Sequence, residues 1–404
     1  MRLNFDDIIK DNNLPKKGEK VVVAMSGGVD SSVVAVLLSK AGYQVIGVTM
    51  QLHESKIKVS NSKTCCSGID IADAREVAKR HSFKHYVIDY KKQFKSSVID
   101  EFVDSYLNGE TPVPCIRCNQ TVKFTDLINF TKKIGSKYLA TGHYVRRKEV
   151  GKTFNIFQAS DLLKDQSYFL FATTKPQLQM LRFPIGNFKK EQVRELAKLF
   201  ELKNAFKPDS QDICFIPNGN YREFIKKRNL SFSSRGVIEN TAGHVLGYHN
   251  GIINYTVGQR KGIGLGGVSG QKEGEPLYVV QIDKNENKVI VGTRDKLKSY
   301  KIYLKEVNLI SDIKSKEFNA EIKIRSGLKK VKATVNICKN NKTGVVNLSN
   351  AEFGVAPGQA CVFYKKNKML GGGWITAAEK TNLQFIIWII AHSIIINTKL
   401  LLMW

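Results

Sequence analysis

Short apolar runs alternate with stretches of helical spacing from Lys20 onward. KVVVAMS (20–26) is apolar at consecutive positions, the pattern of a parallel strand covered on both faces. DSSVVAVLLSKAG (30–42) then reads as a helix stopping at Gly42, and YQVIGVTM (43–50) as the next strand. Strand, glycine-rich turn, helix and strand make a βαβ unit. The pattern goes on to predict helices near 71–81, 94–107 and 123–134, and strands at HYVIDY (85–90) and KYLATGHY (137–144). Residues 1–217 are therefore expected to form an α/β domain around a doubly wound parallel sheet.

The character changes after Cys214. A short helix near 221–228 leads into GIINYTVGQRKGIGLGG (251–267), EPLYVVQID (275–283) and KVIVG (288–292). Glycine-rich turns between short strands predict a small central β domain over 218–297. EIKIRSG, KKVKATVNI, TGVVNL and ACVFYKK predict a β-barrel or sandwich over 298–375. After GGGWI, residues 376–404 hold a nearly uncharged run at 385–396, shorter than the roughly 20 residues a membrane helix needs. This tail reads as an appendage or read-through rather than an anchor.

Charge adds a partner to this picture. The 404 residues include 63 Lys and Arg against 36 Asp and Glu, a formal net charge of +27, which predicts a polyanionic partner, nucleic acid before membrane. A genome biased toward Lys, Asn and Ile codons yields the same excess, so charge by itself decides little. Seven cysteines (Cys65, Cys66, Cys115, Cys118, Cys214, Cys338 and Cys361) lack the density of a disulfide scaffold. The opening MRLNFDDIIKDNN has no apolar leader core, and no stretch of the first 375 residues is apolar enough to span a bilayer. A reducing cytoplasm is the expected setting, with no membrane partner for the body.

The strongest chemical signal is SGGVDSS (26–32), between a buried strand and a helix. Gly27 and Gly28 permit close backbone approach, the serine hydroxyls donate, and the helix N-terminus supplies N–H groups, so the loop suits an oxyanion of phosphate size. It lacks the lysine of GxxxxGK[ST], which argues against transfer of a terminal phosphoryl group. SGGVDS resembles the pyrophosphate-binding loop of the ATP pyrophosphatases, which cleave ATP to AMP and pyrophosphate while adenylating a substrate oxygen. CNQTVKF (118–124), ATGHY (140–144) and DSQDICFI (209–216) resemble the motifs of the bacterial and mitochondrial tRNA-specific 2-thiouridylases, in the family's order. LLKDQSYFL (162–170), YTVGQRKGIGLGG (255–267) and GGGWI (371–375) extend the likeness over roughly residues 18–375.

The resemblance implies a nucleotide-hydrolase-like α/β domain, a small β domain and a C-terminal barrel that grips tRNA. It implies ATP-dependent 2-thiolation of the wobble uridine in tRNAs with Lys, Glu and Gln anticodons, with sulfur supplied by a desulfurase or relay protein. Cys214 matches the family's persulfide carrier and Cys118 its second active thiol, joined transiently in a Cys118–Cys214 disulfide. Ala24, Met25, Ser26, Gly27, Gly28, Val29, Asp30 and Ser31 would line the ATP phosphates, and Met50 and Gly142 would meet adenosine. His143, Lys164, Asp165, Gln166, Arg325, Ser326 and Gln359 fall where the family contacts tRNA, and Pro112, Val113, Pro114 and Cys115 where its loop faces the target base. Asp30 is the expected Mg²⁺ partner, and no stable metal is expected. Many relatives carry an acid where this chain has Cys115, which leaves a general-base role there without its carboxylate.

The thiols themselves suit sulfur transfer, because one must carry a persulfide and another release the sulfur by exchange. CIRC (115–118) also reads as half a zinc site, but the other close pair, Cys65 and Cys66, is adjacent and poorly spaced. A pyrophosphatase with a small amide- or ring-forming substrate has no need of paired cysteines. A non-enzymatic RNA-binding module has no need of an intact SGGVDS.

Overall fold

A computed structural model describes residues 8, 14–53, 68–151, 153–209, 212–216, 219–228, 234–265, 275–327, 329–338 and 342–380. The N-terminal part opens with β1 (Lys20–Ala24), α1 (Val29–Lys40), β2 (Gln44–Gln51), α2 (Gly68–Arg80) and β3 (Lys84–Asp89). Helices α3 (Lys91–Phe94) and α4 (Asp100–Leu107) flank a π turn at Lys95–Ile99. Next come α5 (Pro114–Cys118), a π segment at Asn119–Asp126, α6 (Leu127–Lys133) and β4 (Tyr138–Thr141). The hairpin β5 (Val145–Val150) and β6 (Thr153–Gln158) precedes α7 (Lys175–Met180), β7 (Leu181–Arg182) and α8 (Lys190–Leu199).

The parallel sheet has the order β3-β2-β1-β4-β7. β1 is apolar throughout because both its faces are covered: Val21 and Val23 join one core, and Val22 joins the other. Helix α1 shows the same continuous pattern, and Val33 to Leu38 are all fully buried. α1, α2 and α8 contribute to one face, while α4, α5 and α6 contribute to the opposite face. The connections leaving β1 and β4 thus run to opposite sides of the sheet. That makes the gap between the carboxyl ends of these neighbours a switch point, where open α/β sheets bind ligands.

After α9 (Tyr221–Lys226), the central unit is a four-stranded sheet of order β10-β11-β8-β9, formed by β8 (Arg235–Asn240), β9 (Val245–Asn250), β10 (Tyr278–Asp283) and β11 (Lys288–Gly292). The glycine-rich stretch expected to supply a strand makes none over 251–265. Gly251, Gly258, Gly262 and Gly264 all take positive φ, which breaks the extended geometry a ladder needs.

The last unit is a closed six-stranded barrel of β12 (Lys298–Leu309), β13 (Glu317–Lys323), β14 (Val331–Ile337), β15 (Gly344–Phe353), β16 (Ala360–Lys365) and β17 (Lys368–Glu379), with β12 paired to both β15 and β17. Closure removes the open edges that invite aggregation. The hairpin β5–β6 adds to β17 through Ile156 opposite Met369 and Phe157 opposite Lys368. The barrel and the parallel sheet also share one core, in which Val362, Tyr364 and Trp374 pack with Val22, Tyr168 and Phe171. The tail was expected to begin at Thr376, yet β17 continues to Glu379, with Ala377 opposite Tyr303 and Glu379 opposite Lys301. The apolar run at 385–396 lies outside the described residues, as do Cys65 and Cys66. Among the described residues, no helix is long and apolar enough to cross a membrane.

Candidate active site

The SGGVDSS loop leaves β1 at the switch point. Gly28 caps α1 with extended backbone and no side-chain hydrogen bond, so no side chain competes for the first-turn N–H groups. Ser31 Oγ accepts from the Ser26 N–H at 3.1 Å and donates to the Gly28 carbonyl at 3.2 Å, while Ser32 Oγ donates to the same carbonyl at 3.0 Å. The loop is thereby fixed by its own hydroxyls. Gly27, at φ +74°, packs so tightly that a Cβ would lie 2.3 Å from the Asp70 carbonyl oxygen, whereas a Cβ on Gly28 would meet only Ser26 Oγ, at 3.5 Å. Asn204 Nδ2 braces the turn from behind through the Gly27 carbonyl and Ser32 Oγ, each at 3.0 Å.

The expected phosphate residues divide by exposure. Ser26 is exposed and Ala24, Gly28 and Asp30 half-buried, while Met25, Gly27, Val29 and Ser31 lie beneath. Gly142, at the end of β4, backs onto the start of α1, and a Cβ there would stand 2.8 Å from the Ser31 nitrogen. Met50 is buried in the core on the opposite face of the sheet from Val29.

Asp30 sits in an ionic cluster that motif reading did not reveal. Lys190 Nζ reaches both Asp30 oxygens at 2.8 Å and Asp209 Oδ1 at 2.7 Å. Tyr144 donates its hydroxyl to Asp30 Oδ1 at 2.8 Å, and Lys164 Nζ bonds Asp209 Oδ2 at 2.8 Å. Burial alone would raise the Asp209 carboxyl, but hydrogen bonds and charge from Lys164 and Lys190 prevail and hold it below the usual carboxylate range. Burial, with Asp30 beside it, pushes the Tyr144 hydroxyl upward, so it stays protonated and donates. Lys190 begins an amphipathic helix and carries no motif signature; Asp209 and Tyr144 stood inside quoted motifs without a role.

Cys118 closes α5 and is buried, Cys214 is half-buried and Cys115 is exposed. Cys118 and Cys214 belong to the same core, together with Val113, Phe215 and Met50. The rest of that motif, NQTVKF, follows as a π segment, a rare geometry frequent at functional sites. Asn119 Nδ2 donates to the Phe169 carbonyl at 3.2 Å, while its buried Oδ1 meets no protein partner among the described residues. Ahead of Cys118, Arg117 forms a two-pronged bond to Glu306 of the barrel at 2.7 and 2.9 Å and stacks over Trp374.

The expected tRNA contacts scatter. His143 is half-buried between Phe124 and Phe183, its Nδ1 is 2.8 Å from Thr141 Oγ1, and burial with the Lys123 charge pushes its pKa down to about 3. It is neutral at physiological pH. Asp165 is only 8% exposed, and its oxygens accept from Ala159 and Ser167 N–H, Gln158 Nε2 and Ser167 Oγ, with Lys323 Nζ 3.4 Å away. The structure places this residue in the interior rather than at a surface, because a backbone turn and a buried barrel lysine need its charge. Gln166 clamps Tyr144 through a pair of hydrogen bonds, its Oε1 accepting from the Tyr144 N–H at 2.9 Å. Arg325 and Ser326 are exposed on the barrel. Gln359 donates to the Thr111 carbonyl at 2.7 Å and so holds the stretch leading into Pro112, Val113, Pro114 and Cys115.

Family models match three successive stretches: a tRNA methyl transferase HUP domain over 19–218, a tRNA methyl transferase PRC-barrel domain over 222–293 and an aminomethyltransferase beta-barrel domain over 299–375. The chain is 48% identical over 379 residues to a tRNA-specific 2-thiouridylase MnmA of Rhodospirillum centenum, covering 93% of this chain and 95% of that one. The chain belongs to the tRNA-specific 2-thiouridylase family. Its relative in Rickettsia massiliae is 49% identical over 366 residues, covering 90% of this chain and 98% of that one. An Ehrlichia ruminantium member is 46% identical over 366 residues, or 90% and 96%. The likeness to 2-thiouridylases, carried in the sequence by CNQTVKF, ATGHY and DSQDICFI, thus extends along nearly the whole chain.

Proposed function

We propose that this protein thiolates a tRNA uridine at C2 at the expense of ATP. One observation carries the reading: an uncapped helix N-terminus shaped for phosphate stands at the switch point of the sheet, and Cys118 and Cys214 share the core on the sheet's other face. The matched families are described by methyl transfer, but a phosphate loop in a chain with two thiols in one core suits sulfur transfer onto an oxygen-activated carbon.

The loop fits a triphosphate, since the space over Gly28 is open and the helix end offers N–H groups without a side-chain competitor. Asp30 is the hard oxygen donor that would meet Mg²⁺ carried by the phosphates, where the ion would neutralise charge on departing pyrophosphate. The uridine O2 attacks the α-phosphorus, pyrophosphate leaves, and C2 becomes electrophilic. The terminal sulfur of a Cys214 persulfide then bonds C2. Thiolate Cys118 attacks Cys214 Sγ, the S–S bond breaks with its electron pair kept by the sulfur on C2, and AMP departs with the former O2. The resulting Cys118–Cys214 disulfide is reduced by an external thiol. A desulfurase or relay protein loads Cys214, and uridines of Lys, Glu and Gln anticodons are the proposed targets.

Mass analysis of each variant after incubation with sulfur donor tests the division of labour. Cys214→Ser should accept no sulfur yet still form AMP on tRNA, whereas Cys118→Ser should hold a persulfide on Cys214 and stall before thiolation. A persulfide on Cys118 in the Cys214→Ser protein, or ADP as the nucleotide product of the native enzyme, would overturn the reading.

A further inference from the structure

Lys190 is a buried cation between two carboxylates of different origin. It is 8% exposed, at the first position of α8, and its Nζ lies 5.6 Å over the Tyr144 ring. On one side it binds Asp30, the second residue of the phosphate-loop helix, at 2.8 Å to each oxygen. On the other it binds Asp209 at 2.7 Å, five residues before Cys214. Asp209 is also held by Lys164 and lies 3.6 Å from Arg194, so the acid has several cations near it while Asp30 depends on Lys190 and the Tyr144 hydroxyl. A buried ammonium shared in this way responds to any new charge nearby, because charges act strongly where water is excluded.

We propose that Lys190 is a positioning residue that couples occupancy of the phosphate loop to the placement of the Cys214 segment. Phosphate oxygens arriving at the N-terminus of α1 compete with Asp30 for the Lys190 ammonium. A change in the Lys190–Asp30 contact is felt through the shared Nζ at Asp209, five residues ahead of Cys214. Nucleotide binding thereby presents the thiol only when an activated uridine can be made, which keeps a persulfide from being spent on water or solvent thiols. The coupling rests on the reading of Cys214 as the sulfur carrier, although its physical part, nucleotide dependence of that thiol's environment, does not.

The test is the rate at which iodoacetamide alkylates Cys214 in the full chain, followed by peptide mass, with and without a non-hydrolysable ATP analogue and Mg²⁺. Exposed Cys338 on the barrel serves as the internal reference. In the native protein the analogue should change the Cys214 rate by about fivefold or more, the scale of a site-to-site coupling, and leave Cys338 unchanged. Lys190→Met should erase the nucleotide effect at saturating analogue, and Lys190→Arg should restore it in part, since a guanidinium can also bridge two carboxylates. If Lys190→Met does not fold, Asp209→Asn cuts the far half of the bridge and should erase the effect equally. A native rate indifferent to nucleotide, or a folded Lys190→Met or Asp209→Asn protein that keeps the full effect, overturns the coupling. Persulfide mass on Cys214 in the native protein separates the two readings: no persulfide despite a nucleotide effect sinks the sulfur role and leaves the coupling standing.

Discussion

Asp165 and His143 show how far a side chain's setting can depart from its motif. Asp165 and Lys323 are both about 1% exposed at the side chain, and a buried pair broken on one side leaves an uncompensated charge. Asp165→Asn should therefore cost about 3–5 kcal/mol in denaturant unfolding, and adding Lys323→Met should recover part of that loss. If Asp165 instead acted by touching RNA, the substitution would weaken tRNA binding and leave the unfolding midpoint in place. His143 and His85 both have pKa values pushed down from 6.5, to about 3 and about 4, chiefly by burial. A folded pKa below the unfolded one means the unfolded chain binds protons the folded one refuses. Stability should be insensitive to these groups above pH 6.5 and fall as pH drops from there toward 4. Thermal melts across that window should show the fall, and His143→Gln should flatten it; an unchanged slope in the variant would remove His143 from the account.

At the scale of elements, the site depends on close contacts among backbone segments. β4 delivers Gly142 against the first turn of α1, where a Cβ would meet the Ser31 nitrogen at 2.8 Å and Asp30 backbone carbon at 3.1 Å. Gly142→Ala should therefore displace the start of α1 and weaken ATP binding about tenfold or more, because a sub-ångström shift at a preorganised site is costly. Nucleotide titration by calorimetry checks this, with unchanged affinity counting against the packing argument. Sequence periodicity located β1, α1 and β2 to within a residue or two, since a strand covered on both faces and a buried helix leave long apolar runs. It missed the hairpin β5–β6, whose VRRKEV carries three basic residues in an edge strand, and it read the glycine-rich stretch after Ile252 as extended. In both places pairing partners far along the chain, or positive φ, outweighed local propensity.

For the whole molecule, the barrel completes the catalytic half rather than merely following it. Arg117 beside Cys118 is locked to Glu306 and Trp374, and the Thr111 segment is tied to the turn at Pro357–Gln359. The end of β17 belongs to this closure, because Lys301 binds Glu379 at 2.9 Å and Tyr303 bonds the same carboxylate. A chain ending at Lys380 should keep the thermal midpoint of the full chain, while one ending at Ile375 should melt several degrees lower, since a loss of roughly 1 kcal/mol shifts a domain of the barrel's size by about 4–8 °C. Equal midpoints for the two truncations would show that the last strand residues carry no weight. The sequence alone determined the parallel sheet and the strand, turn and helix that carry SGGVDSS, because hydrophobic period and contiguous motifs are local properties of the chain. The ion bridge from Asp30 to Lys190, 160 residues away, and the bond from Gln359 to Thr111, 248 away, were decided only by tertiary structure. Such contacts require distant segments to close on one another and then to satisfy buried charge and backbone groups, and no local pattern records which cation will find which carboxylate.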